Sequence, residues 1–248
     1  MNTIMIHHVG DGVNGSISIK QLDRIMYAYP DDQYTFDDGL ACQVLAFQLL
    51  RKHGKKAIFF VNNENKMEQY RVIRERLGDQ FYNHFWNNVA NDPYFSIPND
   101  FLAEYSFYTE EDRRYRYYRD YLAPERHDEI MNILLLQGDE PCFDVEKPLF
   151  IDPQMIVGEG HILGLHSSTH PRRMDALKPH EQFDEWVGNL AYIRKFQREV
   201  LYAAYPMGRY NEVTKEILSL LGIMDAFTSS ELTKGYLESP RIDLSKFL

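Results

Sequence analysis

Three short runs place side chains capable of chemistry at the ends of β-like segments, the rim where parallel α/β folds bind ligands. In Thr35-Phe36-Asp37-Asp38-Gly39, two adjacent carboxylates leave one backbone in different directions. One can therefore bind a cation while the other accepts a proton. The same run also reads as an aspartate-rich turn, as Asp31-Asp32 does just upstream. In His166-Ser167-Ser168-Thr169-His170-Pro171, two imidazoles four residues apart share one side of a helical turn. That is the spacing with which two histidines grip one metal, although H-x-x-x-H also recurs by chance. In Ala204-Tyr205-Pro206-Met207-Gly208-Arg209-Tyr210-Asn211, proline and glycine shape a tight turn whose N–H groups can point into a site. As residue types alone, these are also the ingredients of an ordinary loop.

The elements that must position these runs alternate between strand and helix. Strands are expected at residues 3–6, 33–36, 57–61, 161–165, 200–204, 226–229 and 241–244, from short apolar β-branched or aromatic runs. Helices are expected at 18–29, at 40–53 with Gly54 as its stop, at 181–197 and at 211–221. Between them, residues from about 62 to 152 are polar, tyrosine-rich and mostly helical, with helices near 67–88, 109–122 and 124–136 and prolines at 93, 98, 141 and 148. The simplest account is one domain over residues 1–248, an α/β fold with a mainly parallel sheet or barrel and a helical insertion at about 62–152.

Taken together, TFDDG, a distant H-S-x-x-H-P and a Tyr-Pro-x-Gly turn resemble the NodB-homology polysaccharide deacetylases (carbohydrate esterase family four). The match covers roughly residues 1–61 and 153–248. The resemblance implies a distorted (β/α)7 barrel and metal-dependent removal of acetyl groups from N-acetylated sugars. It implies Asp37 as general base, Asp38, His166 and His170 as metal ligands, and the Met207 N–H as an oxyanion-hole donor. Tyr205, in the same turn, is taken as a substrate-binding candidate. Family members typically carry an arginine shortly before the proline of the third motif; this chain has Ala204-Tyr205-Pro206. Arg209 and Arg241 are the available substitutes, and Arg241 is favoured because Ser239–Asp243 reads as a closing strand. The family's late histidine acid is also missing, since no histidine follows His180. A circularly permuted branch, which includes enzymes acting on poly-N-acetylglucosamine, instead uses a histidine at the end of the first strand. Ile6-His7-His8-Val9 resembles it, which makes His7 the acid candidate and His8 its competitor. Zinc is the first choice of metal from the ligand types, with cobalt or nickel suited to the same set.

Composition narrows the remaining classes. The net charge of −10 argues against general affinity for nucleic acid or anionic membrane. Cys42 and Cys142, 100 residues apart, fit neither a zinc knuckle nor a disulfide framework and suit a reducing compartment. No apolar run approaches the ~18 residues of a membrane span. The first residues lack a basic segment and a long apolar stretch, so a cytoplasmic location is expected. His161 reads as structural, and His53, His84, His127 and His180 as solvated. Trp86 and Trp186 read as core or interface anchors. Around Tyr105–Tyr121, Glu110, Glu111, Asp112 and Asp120 balance Arg113, Arg114, Arg116 and Arg119, which predicts an ion-paired helix. The expected partner is an N-acetylated sugar or glycoconjugate. Hydrolysis of another C–N bond on the same scaffold, or sugar binding without catalysis, are the competing readings.

Overall fold

The computed structural model describes residues 2–10, 15–89, 95–136, 149–232 and 235–247; Cys142, Pro93, Pro141 and Pro148 lie outside them. The chain divides into two compact units, Met1–Asn65 with Leu149–Leu248, and Lys66–Pro148.

The first unit is built on seven parallel strands: β1 (Thr3–Ile6), β2 (Gln33–Phe36), β3 (Ala57–Val61), β4 (Ile162–Leu165), β5 (Tyr202–Ala204), β6 (Asp225–Phe227) and β7 (Ile242–Asp243). Their order is β6-β5-β4-β3-β2-β1-β7. Flanking helices are α1 (Ile19–Ala28), α2 (Phe47–Lys52), α7 (Pro153–Gly158), α8 (Pro179–Ile193) and α9 (Glu212–Leu220).

Strand β3 shows how the sheet is bent. Its alternate residues Ala57, Phe59 and Val61 join the large core that includes Leu22, Leu50, Ile156, Trp186 and Leu218 from the helices. Ile58 and Phe60 point to the other face and cluster with Ala204 of β5 and Phe227 of β6. In a flat sheet β3 and β6, three strands apart, would be separated by roughly 14 Å. The Phe60 and Phe227 rings nevertheless lie 5.6 Å apart, so the sheet curls around them. The chain near its C-terminus then bridges the two edges. Ser239 pairs with Phe227 on the β6 side, while Ile242 and Asp243 pair with Ile4 and Met5 of β1. The expected closing strand therefore exists, shorter than the four residues read from sequence.

Other boundaries moved for local reasons. The expected helix at 40–53 begins as a tighter 3-10 stretch, Ala41–Ala46. There the buried Gln43 turns its amide onto the backbone carbonyls of His7 and Asp37. Helix α7 was not foreseen; Asp152 caps it and Pro153 supplies its first turn. Gly164 sits where any Cβ would meet the Phe60 ring at 2.5 Å. That contact lets β4 pack against β3.

His161 lies between the Phe47 and Phe59 rings, with both ring nitrogens enclosed and without hydrogen-bond partners among the described residues. Burial, helped by Lys56 and Arg51, lowers its pKa. Below pH ~6.5 the unfolded chain therefore takes up a proton that the folded chain refuses, and stability falls with acidification until the folded group titrates. His161→Phe is expected to narrow the stability difference between pH 7.5 and pH 5 in urea unfolding. An unchanged difference would remove His161 as a source of acid sensitivity.

The second unit is helical: α3 (Lys66–Leu77), α4 (Phe81–Asn87), α5 (Glu110–Tyr117) and α6 (Pro124–Leu136). The helix expected over 67–88 breaks at Gly78, which adopts φ +50°. Its core gathers Tyr70, Ile73, Phe81, Phe85, Tyr115, Ile130 and Met131. His127, expected at the surface, is instead fully buried and meets the Tyr115 hydroxyl at 2.8 Å. His127 shares the buried face of α6 with Ile130, Met131 and Leu134, and the rings that enclose it, Tyr70, Phe85 and Tyr115, come from α3, α4 and α5.

Candidate active site

Each motif run leaves the C-terminal end of a strand of the first unit, and the curled sheet brings those ends together. Asp37 and Asp38 follow β2, His166 follows β4, the Tyr205 turn follows β5 and His7 follows β1. Four of the six non-glycine residues with positive φ among the described residues are here: Asp38 (71°), Ser167 (65°), His170 (54°) and Met207 (54°). Left-handed backbone costs a side-chain-bearing residue energy, so its concentration at one rim marks a constrained site. Gly39 follows Asp38 at φ +61°, where a Cβ would come within 3.0 Å of Val61. The turn therefore needs glycine at that position.

Asp38, His166 and His170 form a compact donor set, with one ligand atom from each all within 4.8 Å of one another. Asp38 Oδ1 lies 3.5 Å from His166 Nε2 and 3.2 Å from His170 Nε2. Donors each ~2.1 Å from one tetrahedral ion would sit about 3.4 Å apart, so the residues fit a divalent metal. The outer contacts agree. His166 Nδ1–H donates to the Ala204 carbonyl at 2.9 Å, which leaves Nε2 with its lone pair facing Asp38. Burial pushes the His170 imidazole down to about 4, toward the neutral form a metal requires. Burial also raises the Asp38 carboxyl, but His170 and His166 beside it outweigh that and hold it far below the usual range. Burial lowers His166, and Asp38 more than offsets this. A cation bound by the same three donors would take the place of that proton.

Asp37 faces a different partner. Its oxygens accept from Arg241 Nη1 at 2.6 Å and Nη2 at 2.8 Å, a two-pronged pair in which both residues are almost wholly buried. Arg241 Nε–H also donates to the Thr228 carbonyl, and Nη1 lies 3.3 Å from Thr35 Oγ1. The closing segment thus delivers Arg241 to the barrel interior. Burial alone would raise the Asp37 carboxyl, yet Arg241 holds it below its ordinary value and keeps it ionised.

The two histidines after β1 diverge. His7 Nε2 lies 3.9 Å from Asp37 Oδ2, whereas His8 Nδ1 lies 4.0 Å from Cys42 Sγ. Met207 holds the left-handed turn that starts just beyond Ala204, the carbonyl gripping His166. Arg209, the other arginine considered, lies within electrostatic reach of Asp175.

Tyr205 requires correction. Its side chain is 1% exposed, its hydroxyl donates to the Leu237 carbonyl at 2.7 Å and its ring stacks on Tyr210. It is a core residue, and its phenol is not presented to a ligand. The substrate-binding assignment failed because sequence position in a rim loop does not reveal which way a ring turns.

Sequence reading also missed an asparagine clamp beyond β3. Asn65 Nδ2 donates to Asp38 Oδ1 at 3.0 Å, and Asn62 Nδ2 donates to the carbonyls of His166 and Ser167. Asn189 of α8 accepts from the His166 N–H and donates to the Val61 carbonyl and to Asn63. The available signal was the polar run Asn62-Asn63-Glu64-Asn65 directly after a wholly apolar strand.

Comparison with known proteins bears on the family and the fold. Residues 152–226 match the sequence profile of the family described as polysaccharide deacetylase. A search of curated protein sequences finds no match. Among solved structures, the Streptococcus pyogenes deacetylase PplD in complex with acetate superposes with TM-score 0.60 at 14% identity, covering 98% of this chain and 91% of that one. IcaB from Ammonifex degensii gives TM-score 0.56 at 14% identity, with 98% and 90% coverage. A de-N-acetylase from Aggregatibacter actinomycetemcomitans gives 0.54 at 12% identity, with 98% and 94% coverage. The chain is thus similar to the polysaccharide deacetylases, by family profile across residues 152–226 and by the distorted (β/α)7 barrel fold along nearly its whole length.

Proposed function

We propose that this protein is a metal-dependent hydrolase that removes an N-acetyl group from an amino sugar or its conjugate. The observation that carries the reading is the juxtaposition of the Asp38–His166–His170 donor set with a second carboxylate, Asp37, held ionised by Arg241. A divalent ion held by Asp38, His166 and His170, with zinc the first choice from these ligands, would supply Lewis acidity and an activated water.

The chain's own groups account for the rest. Asp37 accepts the proton lost as water attacks the acetamide carbonyl, and Arg241 positions its carboxylate for that transfer. The Met207 N–H donates to the oxyanion that develops on the carbonyl oxygen, a contact worth ~3 kcal/mol when well placed. An amine leaves poorly unless protonated, so His7 gives a proton to the departing nitrogen as the C–N bond breaks. The products are acetate and the free amino sugar.

The zinc-loaded protein incubated with N-acetylglucosamine oligomers and nucleotide-linked N-acetyl sugars is expected to release acetate without ammonia. Ammonia release would instead assign it to another C–N bond, and neither product would leave sugar binding alone. His7→Ala is expected to keep its metal while losing ~10²–10⁴-fold in turnover. Undiminished acetate release by that variant would move the acid role elsewhere.

A further inference from the structure

The second unit carries arginines that the proposed chemistry leaves unused. The sequence balances the four arginines around α5 with four acids, but the structure distributes the acids unevenly. Asp112 accepts from Arg74 at 2.7 Å and from Tyr82, and caps α5 through Thr109. Glu111 is taken by the Trp86 indole and lies 3.6 Å from Arg114. Asp120 forms a two-pronged pair with Arg119 at 2.5 and 2.7 Å. Glu110 is exposed. Arg113 and Arg116, one turn apart on α5, are left with no ion pair or hydrogen bond among the described residues.

Both side chains are half-buried, and both Nε atoms are enclosed without a partner. The guanidinium of Arg116 lies 4.1 Å over the Tyr108 ring, which fixes its plane. Burial lowers its pKa, and Arg119 and Arg74 press in the same direction. In a chain with 37 acidic residues, half-buried guanidiniums without a carboxylate are out of keeping with the surroundings. Positions i and i+3 of a helix hold their Cβ atoms ~5–6 Å apart, so one oxyanion can reach both forks. A carboxylate is satisfied by one guanidinium, whereas two match the charge and the three free oxygens of a phosphate monoester.

We propose that Arg113 and Arg116 form a binding site for a phosphoryl group, on the helical unit and independent of the deacetylase reading. The test is isothermal titration of the full chain with inorganic phosphate at constant ionic strength. Saturable binding is expected, weakened at least tenfold in both Arg113→Gln and Arg116→Gln. Arg126→Gln, which removes a surface pair with Glu129, is expected to leave it unchanged. Equal binding by wild type and both glutamine variants, or no saturable binding to the wild type, overturns the proposal. Should Arg116→Gln fail to fold, Arg113→Gln carries the same expectation. Two further probes identify the source: tighter binding of glucose 1-phosphate than of inorganic phosphate indicates a soluble phosphosugar. Arg116-dependent binding to vesicles containing phosphatidic acid, a lipid phosphomonoester, indicates a lipid headgroup.

Discussion

His170→Ala, and likewise Asp38→Ala or His166→Ala, is expected to abolish tight metal binding and acetate release together. Three protein donors hold such an ion firmly while leaving positions open for water and substrate, and the removal of one leaves two. Loss of an outer contact to a metal ligand costs ~10–100-fold in affinity or activity, and loss of a ligand itself should exceed that. Elemental analysis of purified variants measures the first effect and an acetate assay the second. Full metal content in any of the three would refute the ligand assignment. The wild type offers a companion measurement. An ion present at ~100 times its Kd stabilises the fold by about 2.7 kcal/mol, so chelation should lower the unfolding midpoint of the wild type and leave that of His170→Ala unmoved.

Arg241→Met is expected to be the most destabilising single substitution at the rim. It strands the Asp37 carboxylate in a site where both partners are almost wholly buried, and breaking such a pair costs ~3–5 kcal/mol. It also removes the link from the closing segment to β2 and to the Thr228 carbonyl. The double variant Asp37→Asn with Arg241→Met should recover much of that stability, since no charge is then left unpaired. It should not recover acetate release, because the proton acceptor is gone. Urea unfolding of the two single variants and the double closes the cycle. A loss below ~1 kcal/mol in Arg241→Met, or acetate release by the double variant, would contradict the assigned roles.

A great deal of this was present in the linear order of residues. The strands were readable because a parallel sheet buries them on both faces, so that Ala57–Val61 is an unbroken apolar run. The donor set was readable because His166 and His170 lie in one short segment and Asp37-Asp38-Gly39 in another, each a local pattern. Residues 166–170 nevertheless form a non-helical loop, with positive φ at Ser167 and His170, rather than the expected helical turn. Local patterns also carried the closing segment, though not its length. What resisted reading depends on contacts between distant segments. His127 is buried by the rings of Tyr70, Phe85 and Tyr115, none of them adjacent to it in sequence. Asn65 meets Asp38 from the end of a different strand, and nothing in either neighbourhood announces the other.

The sequence alone determined the chemical types on offer: one carboxylate and two imidazoles able to share a cation, a second carboxylate, and strands whose ends would carry them. Only the tertiary structure decided the pairings. Curling the sheet brings β6 near β3 and lets residues 239–243 span its edges, and that closure assigns Asp37 to Arg241 across 204 positions of chain. The same folding turns Tyr205 inward and directs His7, rather than His8, toward Asp37. The physical reason is that a side chain's type is written at its own position, whereas its direction and partners are fixed by backbone segments that meet when the barrel closes.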